Sequence, residues 1–258
     1  MDFRFLETGF NTPAMNMAID EALLSSPLPV LRFYRWKPPG LSLGNAQAVK
    51  GVIDVEFCAS EGIGIVRRIT GGNAVLHDRE LTYSFIVDES LVPASIQESY
   101  KYISSGILRA LSLLGLDATM NNAVEKGEKS AVCFQEPSWY EILVNGKKLV
   151  GSAQKRTQGK VLQHGAVLLD SDITRYSHCF LSHSEKMVAS LSERMTSIHN
   201  ELRKAVSYEE LSRAMQWGFE EALGITLKKD ELTSEELRRV EQLAAEKYSS
   251  DAWNLQKI

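Results

Sequence analysis

Two tight turns in one segment constrain the fold of this chain more than any other feature. Residues 140–170, YEILVNGKKLVGSAQKRTQGKVLQHGAVLLD, carry Asn145-Gly146 and Gln158-Gly159 between apolar-rich runs. A type I′ turn needs positive φ at both central residues, which makes Asn-Gly the strongest short hairpin signal. The segment therefore predicts a three-strand antiparallel meander.

The first turn also predicts a register. If Asn145-Gly146 is a two-residue turn, Leu143 lies opposite Lys148. Alternation with a period of two then sorts the side chains onto two faces. One face is expected to hold Glu141, Leu143, Lys148, Val150 and Ser152, and the other Ile142, Val144 and Leu149.

The remaining apolar patterns predict a mixture of strands and helices. Further strands are expected at 30–36, 41–44, 63–68 and 81–87, each bounded by Gly, Pro or Asn. Helices are expected from Thr12, over 54–61, over 95–114 with Gly115 as the stop, and over 207–223 and 233–248. Helices that follow a β-rich core indicate an α+β fold rather than alternating α/β.

Composition and charge exclude several classes of protein. With 258 residues, 44% of them hydrophobic, the chain can bury a large core. A net charge of -4 argues against general nucleic-acid binding, and no apolar run is long enough to span a bilayer. Three cysteines without a CxxC pair argue against a disulfide framework and favour a reducing cytoplasm. His178 and His183 are five apart without a carboxylate cluster, so we expect no metal site.

The segment RRITGGNAVLHD, residues 67–78, is a candidate ligand loop. Its paired glycines let backbone N–H groups approach a ligand, and Arg67 and Arg68 suit a carboxylate or phosphate. A tight hairpin turn with solvated arginines explains the same residues equally well. The loop matches neither a Walker motif nor a GxGxxG fingerprint.

Cys133 in KSAVCFQEPSWYE is either a buried small hydrophobe or a nucleophile. The nucleophile is favoured by its place between a polar loop expected at 121–130 and a hairpin carrying Lys147-Lys148. A cation beside a cysteine favours the thiolate. Cys58 and Cys179 lie in amphipathic and apolar contexts and are expected to be filler.

Several segments together resemble the lipoate-protein ligase A superfamily. The resemblance spans nearly the whole chain, in order, through these segments: MNMAIDEALL, SLGNAQ, RRITGGNAVLHD, ELTYSF, KKLVGSAQ, LQHGAVLLD and KYSSDAWN. It implies the biotin/lipoate protein ligase catalytic fold, a mixed β-sheet core with flanking helices around an acyl tunnel. We expect a ligase-like catalytic domain over 1–205 and a C-terminal helical segment, 206–258, packed on the same domain.

Within this superfamily, SAVCFQEPSWYE resembles the cysteine-dependent octanoyltransferases. The resemblance implies transfer of octanoate from acyl carrier protein to a lipoyl-domain lysine, on a glycine-cleavage H protein or an E2 subunit. Cys133 would form the acyl thioester and Lys148 would lower its pKa. Acyl-pocket roles are implied for Arg68, Thr70, Gly71, Gly72 and His77, and motif positions for Ser152 and His164. Transfer between thioesters needs no ATP, so no cofactor is expected.

Three other functions remain open from the sequence. An ATP-dependent lipoate-protein ligase would share the fold and the acyl pocket, although Gln158 replaces a lysine that some relatives carry in the second turn. An amidotransferase between lipoyl domains would also use a cysteine thioester. A non-catalytic acyl-binding module would keep the fold alone, with Cys133 unreactive.

Overall fold

The computed structural model describes residues 1–121 and 141–256. Its strands are β1 Asp2–Asn11, β2 Val30–Trp36, β3 Gly40–Leu43, β4 Gly64–Arg67, β5 Val75–His77, β6 Glu80–Asp88, β7 Ala118–Met120, β8 Ile142–Val144, β9 Lys147–Thr157, β10 Lys160–Leu168 and β11 Thr226–Lys229. Its α-helices are α1 Pro13–Ala22, α2 Val55–Ser60, α3 Ile96–Leu113, α4 Ile173–His178, α5 Glu185–Arg194, α6 Ile198–Leu202, α7 Tyr208–Leu223, α8 Ser234–Leu243 and α9 Asp251–Asn254. A π-helical turn, Ala244–Tyr248, follows α8.

The helices begin and end where local chemistry dictates. Thr12 caps α1 by accepting from the Met15 N–H, and Ser95 caps α3 by accepting from the Glu98 N–H. The chain leaves α3 at Gly115, whose φ of 88° suits a residue without Cβ. Ser207 opens α7 with a full capping box. The four predicted helices that begin at these caps and at Thr233 are confirmed.

In the described residues the strands form two mixed sheets. The larger runs β11-β1-β2-β6-β10-β9-β8-β7, and the smaller runs β4-β3-β5. β1 pairs parallel with both β2 and β11, while β2, β6, β10, β9, β8 and β7 pair antiparallel in turn. The predicted α+β class, a mixed sheet with flanking helices, is confirmed.

Helices cover both faces of the large sheet. One face packs Leu31 and Phe33 of β2 against α3 and α7, and the other packs Val30 and Tyr34 against α1 and α8. A third apolar cluster joins the small sheet to α4 and α5. The acyl-site candidates lie on the α1 side, where the two sheets meet.

The meander forms as predicted, with one correction. Both turns have positive φ, 50° and 75° at Asn145-Gly146, and Leu143 pairs with Lys148. A β-bulge then shifts the register, so that Ile142 pairs with Val150. Because the bulge adds one residue to β9, Val150 joins the apolar core of Ile142, and the expectation that it shares the Lys148 face is wrong.

Strands β1, β5, β7 and β11 were not predicted. β5 and β11 contain three and four residues, too few to show alternation. Among the described residues no helix is long and apolar enough to cross a membrane.

Candidate active site

A pocket opens between α1, the small sheet and the β9–β10 hairpin. Its empty space is about 440 Å³, including the open mouth. Apolar walls come from α1 and β2, and small residues of β9 and β10 leave room between them. The lining residues that matter below are Met17, Trp36, Ser42, Arg68, Gly72, His77, Ser152, Ala153, His164 and Ala166.

Arg68 binds its own loop. The residue is 5% exposed, and all three side-chain nitrogens donate to acceptors of the chain. Nε donates to Thr70 Oγ1 at 3.1 Å, and Nη1 donates to the Ser42 carbonyl at 2.9 Å and to Ser42 Oγ at 3.2 Å. Nη2 donates to the carbonyls of Gly71 and Asn73, at 2.8 and 2.9 Å. Each nitrogen of the guanidinium therefore has at least one acceptor among the described residues.

Arg67 is fully buried and points the other way. Its side chain donates to backbone carbonyls that belong to the SLGNAQ loop and to the C-terminal helix α9. These carbonyls are those of Gly44, Asn45, Gln47, Trp253 and Asn254. The interpretation of Arg67 and Arg68 as solvated turn residues is therefore wrong, because both are buried. Among the described residues, their hydrogen-bond acceptors include backbone carbonyls and the hydroxyls of Ser42 and Thr70.

Two glycines let the loop close over the pocket. A Cβ on Gly44 would lie 1.7 Å from the Gly72 carbonyl oxygen, so the two backbones touch where no side chain fits. Gly72 has φ of 95°, and a Cβ there would meet Arg68 Nη2 at 2.8 Å. A Cβ on Gly71 would meet no atom within 4 Å, and the Gly71 carbonyl accepts from Arg68.

His77 lies in a carboxylate–histidine–hydroxyl chain on the pocket wall. Nδ1 is 2.8 Å from Glu80 Oε1, and Nε2 is 2.8 Å from Ser42 Oγ. Because Arg68 must donate to Ser42 Oγ, the hydroxyl hydrogen is available for His77 Nε2, and Nδ1–H then donates to Glu80. The ring stacks on Trp36 with centroids 4.1 Å apart.

His164 forms a second chain of the same kind. Nδ1 is 3.0 Å from Asp20 Oδ2, and Nε2 is 2.7 Å from Thr70 Oγ1, which accepts from Arg68 Nε. Burial lowers the pKa of His164, against the opposing pull of Asp20, so the ring is neutral at neutral pH. Burial would raise the pKa of Asp20, but Arg32 and His164 outweigh it and lower that pKa. The two hydrogen-bond networks meet at Arg68, which donates to Ser42 Oγ in the first and to Thr70 Oγ1 in the second.

Ser152 is among the residues that line the pocket. Its hydroxyl lies 2.9 Å from Tyr83 Oη, on the face of the sheet that packs against α3. The bulge in β9 places Ser152 on the face of Val150 rather than that of Lys148, which corrects the second half of the predicted face assignment. The neighbouring Ala153, paired with His164, faces α1.

Lys148 forms a buried ion pair with Glu141. Nζ contacts Glu141 Oε1, and the two side chains are 4% and 5% exposed. Glu141 immediately precedes β8 and Lys148 lies on β9, the two strands that the first turn joins. Cys133, the predicted nucleophile, and residues 122–130 of the predicted polar loop lie outside the described residues. The separation of the Cys133 sulfur from the Lys148 amine is therefore not described.

Hydrogen bonds and the pocket wall bring together Arg68, Thr70, Gly71, Gly72, His77 and His164. Their roles in binding an acyl group stay a prediction. Sequence reasoning assigned no role to Asp20, Ser42 and Glu80, which orient the two histidines. The available signal was their position in the motifs MNMAIDEALL, SLGNAQ and ELTYSF. Among residues 1–121 and 141–256, no group of three or more His, Cys, Asp or Glu could hold a metal ion.

Comparison with solved structures supports the fold. The bipartite lipoate protein ligase of Thermoplasma acidophilum, solved with its E2 lipoyl domain, matches with a TM-score of 0.86 and 26% identity. That match covers 100% of this chain and 98% of the other. A lipoate-protein ligase A bound with ATP matches with a TM-score of 0.84 and 26% identity, covering 100% of both chains.

Comparison with known sequences gives closer relatives. Residues 12–220 match the family described as the lipoyl protein ligase A/B catalytic domain. Octanoyltransferase LipM of Geobacillus kaustophilus is 44% identical, covering 99% of this chain and 98% of that protein. The protein of the same name from Bacillus subtilis is 43% identical with the same coverage. The chain belongs to the lipoyl protein ligase A/B catalytic domain family and is an acyltransferase.

Proposed function

We propose that the chain is an octanoyltransferase of lipoate biosynthesis that works through a thioester on Cys133. Its donor is octanoyl acyl carrier protein, and its acceptor is a lysine of a lipoyl-domain protein, such as a glycine-cleavage H protein or an E2 subunit. The observation that carries the proposal is the identity of 41–45%, over nearly the full length, to proteins named octanoyltransferase LipM. The reducing cytoplasm expected from the cysteines stays a prediction.

The reaction proceeds in two steps that need no external energy source. The Cys133 thiolate attacks the octanoyl carbonyl carbon, a new C–S bond forms, and the carrier thiolate leaves and takes a proton. The neutral amine of the acceptor lysine then attacks the same carbon, forming a C–N bond as the Cys133 thiolate leaves and the nitrogen loses a proton. Exchange between thioesters is nearly isoenergetic, and the final amide makes the second step downhill.

The described site suits an acyl group. Met17, Trp36 and Ala166 offer apolar surface to an alkyl chain. The arginines of the loop hold carbonyl and hydroxyl groups of the chain, which supports a wall that shapes a pocket rather than one that grips a phosphate. Lys148 in its protonated form can stabilise both the thiolate and the oxyanion of each tetrahedral intermediate.

A donor competition tests the proposal against its rivals. The purified chain and an unmodified H protein or lipoyl domain are incubated in two mixtures, one with octanoyl acyl carrier protein and no ATP, the other with free lipoate, ATP and magnesium. We expect acceptor modification, read by intact-protein mass, in the first mixture only. Modification in the second mixture alone would assign an ATP-dependent ligase. Transfer only from an octanoylated lipoyl domain, added as a third donor, would assign an amidotransferase.

A further inference from the structure

Helix α9 supplies hydrogen-bond partners to the strand that leads into the pocket loop. Among the described residues β4 is an outer strand of the small sheet, and the backbone groups on its open side need partners. Asn254 Oδ1 accepts from the Arg67 N–H at 2.9 Å, and Trp253 Nε1 donates to the Arg67 carbonyl at 2.8 Å. Two side chains of α9 thus do for Arg67 what a neighbouring strand would do.

The Arg67 side chain joins the same helix to a second loop. Nε and Nη2 donate to the carbonyls of Trp253 and Asn254, both at 3.0 Å. Nη1 donates to the carbonyls of Gly44 and Gln47, at 2.8 and 2.6 Å. Arg67 is fully buried, so a bond lost from this group is not replaced by a bond to bulk water. The position of the second loop therefore depends on α9.

The two loops that meet at Arg67 form one wall of the pocket. The Arg68 N–H donates to the Leu43 carbonyl at 3.0 Å, and the Gly44 backbone touches that of Gly72. Arg68 and Gly72 both line the pocket. A shift of Arg67 would reach the pocket through its sequence neighbour Arg68 and through Gly44.

The same stretch of chain also holds α1, which forms a second wall. Lys247 Nζ donates to the Glu21 carboxylate at 2.6 Å, and Tyr248 Oη donates to the same carboxylate. Burial raises the pKa of the Tyr248 hydroxyl, so it keeps the proton that it donates. Helix α1 places Met17 in the pocket lining. The Asn254 amide donates to the Tyr248 carbonyl at 2.7 Å, which joins the contacts of the two walls.

We infer that residues 247–254 form a clasp that holds these two walls of the pocket together. Within the clasp, Tyr248, Trp253 and Asn254 are positioning residues for binding of the donor's acyl chain. They are not among the residues that line the pocket, so they act through Glu21 and Arg67. The inference rests on the proposed function, because it takes the pocket to hold an octanoyl group.

Hydrogen exchange, read by peptide mass without any substrate, tests whether the clasp holds the loops. Trp253→Phe keeps an aromatic ring in place and removes the Nε1 donor to Arg67. We expect the amides of residues 44–47 and 67–73 to exchange about fivefold faster, because one lost hydrogen bond shifts the opening equilibrium by about that factor. The matched control is Gly218→Ala, which crowds α3 against α7 and lowers overall stability. It should leave exchange in the two loops unchanged.

Steady-state kinetics tests whether the clasp positions the pocket for the donor. Molecules with an open pocket must close it before the acyl chain binds, so the KM for octanoyl acyl carrier protein should rise about two- to fivefold in Trp253→Phe. Tyr248→Phe, at the α1 end of the clasp, should raise the same KM. Because donor binding alone is affected, kcat and the KM for the lipoyl-domain acceptor should stay within about twofold. Gly218→Ala should leave all three constants unchanged.

Three results would overturn the inference. The first is unchanged loop exchange in Trp253→Phe. The second is an unchanged donor KM in both Trp253→Phe and Tyr248→Phe, since the segment would then only stabilise the fold. The third is an equal rise of the donor KM in Gly218→Ala, because overall stability would then explain it. Should Trp253→Phe fail to fold, Tyr248→Phe decides the question by the donor KM.

Failure of the proposed function is seen separately, in the wild type. A wild-type chain that transfers no octanoyl group refutes the proposed function, and loop exchange in Trp253→Phe still tests the clasp. A wild-type chain that transfers the group, with the donor KM unshifted in Trp253→Phe and Tyr248→Phe, refutes only the clasp.

Discussion

Arg68 illustrates what a motif predicts at the scale of one residue and what it leaves out. Paired glycines and arginines predicted a ligand loop, and the loop does line the pocket. The pattern also suggested contact with an anion, yet the guanidinium satisfies Ser42, Thr70 and three carbonyls of its own chain. A sequence shows that a donor is present. Only the fold shows where its five N–H groups point.

Asp20 and Glu80 were overlooked for a related reason. A carboxylate in the helix MNMAIDEALL has the pattern of a solvated helix residue until the helix is packed on a sheet. In the structure Asp20 is 2% exposed and lies against His164 on β10, far along the chain. Contacts of this range depend on strand order, which no local period encodes.

His164 should make stability depend on pH. Burial lowers its pKa below 6.5, so below pH 6.5 the unfolded chain takes up a proton that the folded chain refuses. The contribution of the neutral His164 to the free energy of unfolding should be fully present above pH 6.5. It should be lost as the pH decreases toward the lower pKa of the folded state. Urea unfolding of the wild type and of His164→Gln, repeated at pH values above and below 6.5, tests this pH dependence. A wild-type slope that persists unchanged in His164→Gln would exclude His164 as its source.

Gly44 should tolerate no side chain. A methyl group there would lie 1.7 Å from the Gly72 carbonyl oxygen, so the loop must move away. We expect Gly44→Ala to lower the free energy of unfolding by about 1–3 kcal/mol, as for an overpacked core. Gly71→Ala is the matched control, since no atom lies within 4 Å, and should stay within about 0.5 kcal/mol. Equal effects of the two changes would contradict this explanation of the loop.

At the scale of elements, the β8–β9 hairpin shows how far periodicity extends. The Asn-Gly turn fixed the pairing of Leu143 with Lys148 in advance, and the structure confirms it. The bulge beyond that pair was not predicted, because an inserted residue leaves no mark in a short apolar run such as KKLVGS. Every side-chain face after the bulge, from Val150 to Ser152, was therefore assigned to the wrong side.

Helices α3 and α7 cross at two glycines, which gives an element-scale prediction. A Cβ on Gly218 would lie 2.4 Å from the Gly106 carbonyl oxygen and 2.6 Å from the Ala110 nitrogen. We expect Gly218→Ala to separate the helices and to lower the free energy of unfolding by about 1–3 kcal/mol. Trp217→Ala, an exposed change next to it, should have an effect within about 0.5 kcal/mol. Denaturant unfolding measures the free energy of unfolding of both variants. A Gly218→Ala variant as stable as the wild type would contradict the prediction, because it would show that the two helices can adjust their crossing.

At the scale of the whole molecule, the predicted C-terminal segment supplies parts of every layer. Its strand β11 pairs with β1, its helix α7 packs in the core with α3, and Asn254 accepts from the Arg67 backbone N–H. Arg4 on β1 binds both Asp230 and Glu236. The sequence predicted the helices of this segment. It did not predict β11, which is only four residues long, or the side-chain contacts with residues far along the chain.

Truncation tests the prediction that residues 206–258 pack on the same domain. Removing them would expose the apolar face that α7 covers and leave Arg67 without its α9 acceptors. We expect a chain of residues 1–205 to lose cooperative thermal unfolding, followed by circular dichroism, while the full chain unfolds in one transition. A truncated chain that unfolds cooperatively would make 206–258 a separable unit.

The central claim is that Cys133 carries the acyl group between two proteins. The most direct measurement is the intact mass of the chain after exposure to octanoyl acyl carrier protein without ATP, before and after hydroxylamine. We expect one octanoyl adduct on the wild type, located at Cys133, released by hydroxylamine, and passed to an added lipoyl domain. Cys133→Ala should form no adduct, whereas Cys58→Ala should form it normally. Absence of the adduct from the wild type, or full transferase activity in Cys133→Ala, would contradict the mechanism.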